Sequence, residues 1–97
     1  FDNRFHRRAP ADRPPIVNPP SYYFDRNIAT TYVTDTFGIG HRHNIGVERM
    51  MWSSDFPHSG TDWPNSRQQI EADFVGIDAE EKHAILAGNA ARIYGLR

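Results

Sequence analysis

The stretch from Val47 to Ser54 restricts this chain more than any other. Val47, Met50, Met51 and Trp52 make it a mostly apolar run in place of an alternating one. A strand with that pattern is covered on both faces, as the strands of parallel sheets are. Residues 27–34, Asn-Ile-Ala-Thr-Thr-Tyr-Val-Thr, are dense in β-branched and aromatic types and free of proline and glycine. They are expected to form a second strand, with Asp35 at its C-terminal end. Two strands cannot make an independent parallel sheet with both faces covered. Either partner segments lie outside this sequence, or the domain is unusual.

The remaining segments are punctuated clearly. Residues 1–8 read as the last turns of a helix. Pro10, Pro14, Pro15, Pro19 and Pro20 rule out a regular helix or central strand over residues 9–21 and suit an extended connector. Residues 36–46 are interrupted by Gly38, Gly40 and Gly46 and read as a loop with at most a short helix. A loop is expected over 55–65, with Pro57, Gly60 and Pro64. After it, Asn65 or Ser66 caps a helix carrying Ile70 and Phe74 on one face, stopped by Gly76. Asp78 and Glu81 have capping-box spacing, and Ile85, Leu86, Ala90, Ile93 and Tyr94 form an apolar stripe at helical period before Gly95. Strands alternating with helices define an α/β chain built from strand–helix units.

Composition narrows the chemistry. With 11 basic and 12 acidic side chains in 97 residues, no net basic face is available for nucleic acid. The cluster Arg4, His6, Arg7 and Arg8 reads as a solvated helix end. The absence of cysteine removes disulfides and thiolate sites and permits a cytoplasmic setting. No apolar run approaches the roughly 20 residues that cross a bilayer. Ser53 and Ser54 lack the glycine setting of a nucleophile elbow, and no glycine-rich phosphate loop is present.

Asp55 is the leading candidate for chemistry. Side chains at the C-terminal ends of parallel strands face the active site, and a carboxylate there can bind a cation or take a proton from metal-bound water. The competing reading is a turn-capping aspartate before Phe56-Pro57. His58 follows in the same loop and, taken alone, reads as a surface or packing residue. Trp63, with Pro64, is placed to line or close a pocket. His41 and His43 are two apart, a spacing that shares a face only in a strand, and the glycines around them argue for a loop.

The string Met50 to His58, the later Trp63-Pro64-Asn65-Ser66, and Ile85-Leu86-Ala87-Gly88-Asn89-Ala90-Ala91-Arg92-Ile93-Tyr94 together resemble the amidohydrolase-related group. That group includes aminocarboxymuconate semialdehyde decarboxylase and resorcylate-type decarboxylases. Pro20 to Ile28 resembles the entry to its seventh strand. The resemblance implies the C-terminal part of a (β/α)8 TIM barrel, a fold of about 250 residues. Residues 1–21 would be a helix end and proline-rich connector, and residues 22–97 strands seven and eight with the terminal helices. It further implies a metal-dependent hydrolase or decarboxylase of small molecules, with Asp55 both catalytic and a ligand of the metal, usually zinc. His58, Trp63 and Asp35 would line the mouth, and Asn89 and Tyr94 would be structural.

The family's first-strand histidine pair has no counterpart, and His41-Arg42-His43 lies between strands seven and eight, so it is not a displaced copy. A catalytic zinc wants three protein ligands plus water, so the chain alone is expected to be inactive. Its expected partners are the missing barrel segment and a further copy in a homo-oligomer. Two alternatives stand beside this: a non-catalytic barrel remnant that folds by association, and a small domain binding metal through His41, His43 and His58.

Overall fold

The computed structural model describes residues 1–96. In chain order it contains α1 (Asp2–Arg7), a 3₁₀ turn (Pro10–Asp12), α2 (Pro20–Asn27), β1 (Thr30–Tyr32), α3 (Thr36–Gly40) and α4 (Arg42–Ile45). A second 3₁₀ turn (Val47–Arg49) leads into β2 (Met50–Trp52). Then come α5 (Ser66–Asp73) and a terminal helix of three parts: α6 (Ala79–His83), a π-helical turn (Ala84–Gly88) and α7 (Asn89–Tyr94).

The expected strand pair forms, and it is parallel: Thr30 pairs with Met50, Thr31 with Met51 and Tyr32 with Trp52. Both strands are shorter than expected. The strand anticipated over 27–34 loses Asn27 to α2 and stops at Tyr32, and the Val47–Ser54 run begins with a 3₁₀ turn. The segment leading into β1 is the helix α2, which takes Pro20 and Ser21 from the expected extended connector. Pro20 sits in its first turn, where a missing N–H costs nothing and a fixed φ helps. Tyr23 ties this helix to the connector, its hydroxyl accepting from Val17 N and Asn18 N at 3.2 and 3.3 Å.

Paired residues on neighbouring strands share a face, so Met50 and Trp52 lie with Thr30 and Tyr32, and Met51 lies opposite with Thr31. On the first face Met50 packs with Ile39, Phe74 and Ile85, and Tyr32, Trp52, Ile70 and Leu86 surround this core. Helices α3 and α5 and the π-helical turn after α6 therefore all contribute to one small core. Ile70 and Phe74 face it as their spacing requires, with Phe74 just beyond the last turn of α5.

The terminal helix begins and ends on its local signals. Asp78 accepts from Glu80 N and Glu81 N at 2.8 and 3.4 Å, and Gly95 stops the helix at φ 65°. The reciprocal half of the capping box does not form, because Glu81 turns to α4: its two oxygens lie 2.6 Å from Arg42 Nε and 2.7 Å from His43 Nε2. The expected stripe is covered only in its first half. Ile85 is buried, whereas Ile93 and Tyr94 are exposed in this chain. At the start of α5, Asn65 makes no side-chain cap bond, and Ser66 Oγ donates to Asp62 Oδ1 at 2.7 Å.

Arg42, with His43 beside it, holds the Glu81 carboxyl below its ordinary value of 4.5. A carboxyl lowered in the native state adds stability above its unfolded value, and that contribution is lost as pH falls through the native value. Acidifying below pH 4.5 should therefore lower the wild-type denaturation midpoint more than that of Glu81→Gln. Parallel acid slopes from urea melts of the two proteins would rule this linkage out.

The molecule is extended, 52 × 29 × 29 Å with a radius of gyration of 16.7 Å; a compact domain of this length has about 12.5 Å. No helix among the described residues is long and apolar enough to cross a membrane.

Candidate functional site

Because the strands run parallel, Tyr32 and Trp52 end them on the same side of the sheet. Asp35 and Asp55 each follow three residues later. Pairing continues one step past β2, where Ser53 N donates to Tyr32 O at 2.8 Å. The chain then turns sharply. Asp55 has φ 54°, in the left-handed region that aspartate tolerates better than most residues through its short polar side chain.

The loop beyond is a chain of tight turns. His58 N donates to Asp55 O at 2.8 Å, and Thr61 N to His58 O at 3.0 Å. Thr61 Oγ1 donates back to Ser54 O and accepts from Trp63 N, which pins the loop to the strand end. The Phe56–Pro57 and Trp63–Pro64 bonds are cis. Thr61 is a residue that sequence reasoning passed over, since a lone threonine in a loop carries no distinguishing pattern.

These turns bring Asp55 and His58 together. Asp55 Oδ2 lies 3.2 Å from His58 Nδ1, and Gly60 N donates to the same ring nitrogen at 3.2 Å. One nitrogen serves one partner at a time: it accepts from Gly60 when unprotonated and donates to Asp55 when protonated. Both side chains are exposed. Phe56 and Trp63, also exposed, meet at an angle of 60° with ring centroids 5.1 Å apart. An exposed carboxylate–imidazole pair thus stands beside an exposed aromatic pair.

Asp35 sits elsewhere in role. It is the N-cap of α3, its Oδ1 accepting from Gly38 N at 2.7 Å, so that oxygen is occupied by the helix end. Behind the two aspartates, Tyr32 OH and Trp52 Nε1 are buried and find no partner among the described residues. Burial, with the Asp73 and Asp35 carboxylates nearby, raises the Tyr32 phenol well above its usual range, so it stays protonated.

The histidines of the alternative metal site do not gather. His41 Nδ1 lies 2.9 Å from Phe37 O, His43 contacts Glu81, and His58 contacts Asp55. Among the described residues no group of three or more His, Cys, Asp or Glu side chains could hold a metal ion. Asp55, even with His58, falls short of the three protein ligands of a catalytic zinc, so the residues present do not fit that ion by themselves.

A parallel strand pair backed by helices, with Asp55 in the loop after its second strand, is an arrangement shared by α/β folds built from strand–helix units. A family model described as amidohydrolase matches residues 41–96, more than half of the chain. The chain belongs to the amidohydrolase family. The match takes in β2, the Asp55 loop and the terminal helix, and leaves β1 and Asp35 outside it. No curated protein matches the chain.

Proposed function

We propose that this chain supplies Asp55 as the proton-transferring carboxylate of a hydrolase or decarboxylase acting on small molecules. The observation that carries the reading is the place of Asp55: it leaves the C-terminal end of a parallel strand inside the family match, against His58 at 3.2 Å. In this reading Asp55 takes or returns a proton at the reacting centre, and His58 and the turn bonds hold its carboxylate. Trp63 and Phe56 offer apolar surface to the substrate beside it.

Metal dependence, with zinc as the ion expected from the family, belongs to the same reading. The ligands lacking here would have to come from residues outside this chain, in a barrel of which residues 22–97 form the last two strand–helix units. The test compares wild type with Asp55→Asn, in the longest protein that contains this sequence. Bound metal and turnover of lactones, amides and aromatic carboxylates are measured. Both are expected to fall, and unchanged metal content and turnover would sink the assignment.

The extended shape favours a second reading, a barrel remnant that folds by association. Short strands with open edges and an incompletely covered helix stripe demand partners. Sedimentation of the isolated chain should then show a species larger than the monomer; a monomer with cooperative unfolding would remove this alternative.

A further inference from the structure

Trp63 is 60% exposed and Phe56 58% exposed, so burial does not hold the indole where it meets the Phe56 ring. The hold comes from the backbone on either side. Trp63 N donates to Thr61 Oγ1 at 3.1 Å, and the same hydroxyl donates to Ser54 O, the carbonyl immediately before Asp55. One half-buried side chain thus ties the residue that carries the indole to the end of the strand.

The loop is fastened a second time downstream. Asn65 N donates to Asp62 O at 2.8 Å and Ser66 Oγ to Asp62 Oδ1 at 2.7 Å, which joins the residue before Trp63 to the start of α5. Asp55 is held by other bonds. Ser53 N donates to Tyr32 O before it and His58 N to Asp55 O after it, both at 2.8 Å, and neither involves the Thr61 hydroxyl.

We propose that Thr61 is a positioning residue: its hydroxyl sets the Trp63 indole against Phe56, so that the two rings form one preformed apolar contact for the substrate. This deepens the function proposed above and rests on it. An exposed side chain held in place before binding has less freedom to lose on binding, and the ordering cost avoided appears as affinity. A threonine hydroxyl can do this because it donates and accepts at once. Serine keeps both capacities, whereas valine keeps the shape and has neither.

The test compares Thr61→Val with Thr61→Ser in the longest protein that contains this sequence. With tryptophan and phenylalanine selectively labelled, Thr61→Val is expected to lose the ring-to-ring nuclear Overhauser contacts between Trp63 and Phe56, and Thr61→Ser to keep them. Assayed on the lactones, amides and aromatic carboxylates above, Thr61→Val should raise KM about fivefold with kcat within about twofold, and Thr61→Ser should restore KM. A rise in KM alone marks lost binding, whereas a general loosening of the fold would lower the urea midpoint and kcat together. Asp55→Asn acts on kcat, so the two assignments fail separately: turnover kept in Asp55→Asn removes the proton-transfer role and leaves the ring contacts to decide on Thr61. Ring contacts retained in Thr61→Val, a fall in kcat without a change in KM, or equal defects in the valine and serine variants would each overturn the proposal.

Discussion

Asp55→Asn is expected to reduce turnover by about 10²–10⁴-fold, the usual contribution of a positioned proton-transfer group, with the fold intact. Asparagine keeps the shape of the side chain and is itself at ease at the φ of 54° found here. It can also still accept from His58. What it loses is the charge and the capacity to carry a proton. Asp55→Gly gives the control for backbone effects, since glycine takes this conformation without strain and removes the carboxylate altogether. If the carboxylate matters, both variants fail together; if only the turn matters, both retain turnover. Alanine is the poorer choice, because its loss would mix the chemistry with a strained turn. Retention of near wild-type kcat in both variants would leave Asp55 as a turn residue only.

Asn89→Ala is expected to cost about 3 kcal/mol of stability, read as a lower urea midpoint at unchanged slope. Asn89 is 4% exposed, and its amide nitrogen donates to Val47 O at 2.7 Å and to Met50 O at 2.9 Å. These bonds join the terminal helix to the start of β2. The π-helical turn ends just before Asn89 and places it, like Ile85, on the buried side. Alanine leaves Met50 O short of a donor inside the protein, where an unsatisfied group costs about 1–3 kcal/mol, and leaves Val47 O with only its bond from Met50 N. Asn89→Asp should be worse at neutral pH, because it sets a carboxylate against the same two carbonyl oxygens. A variant series in which Asp is milder than Ala would show that packing, not hydrogen bonding, holds this position. Since β2 carries Asp55 at its far end, both variants should also loosen the loop, seen as faster amide exchange at Thr61 and Trp63.

The N-cap at Asp78, the stop at Gly95 and the parallel pairing of β1 with β2 were legible because each rests on a local or nearest-neighbour preference. Asp78 needs only the two following N–H groups, and Gly95 only its own backbone freedom. The Asp55–His58 pair was within reach for the same reason: four residues of tight turn bring the groups together. The helix Pro20–Asn27 was not legible. Tyr22, Tyr23 and Phe24 favour extended backbone, and what outweighs them is Pro20 at the helix start together with the bonds from Tyr23 to the connector. The length of the strands was equally hidden, since a residue is in a strand only where its neighbour pairs with it, and β1 is abandoned after Tyr32.

The sequence by itself determined that an apolar strand would deliver Asp55 to a loop, and that a capped helix would close the chain. Those are consequences of side-chain patterning over a few residues. Only the tertiary structure decided that Glu81 leaves its capping box for Arg42 and His43, that Arg49 reaches back to Asp25, and that Asn89 bonds the carbonyls of Val47 and Met50. Each of these depends on which distant backbone carbonyl or opposite charge comes within about 3 Å, the range over which a hydrogen bond forms. Such distances are set by how the helices pack on the sheet, and no residue pattern along the chain encodes them.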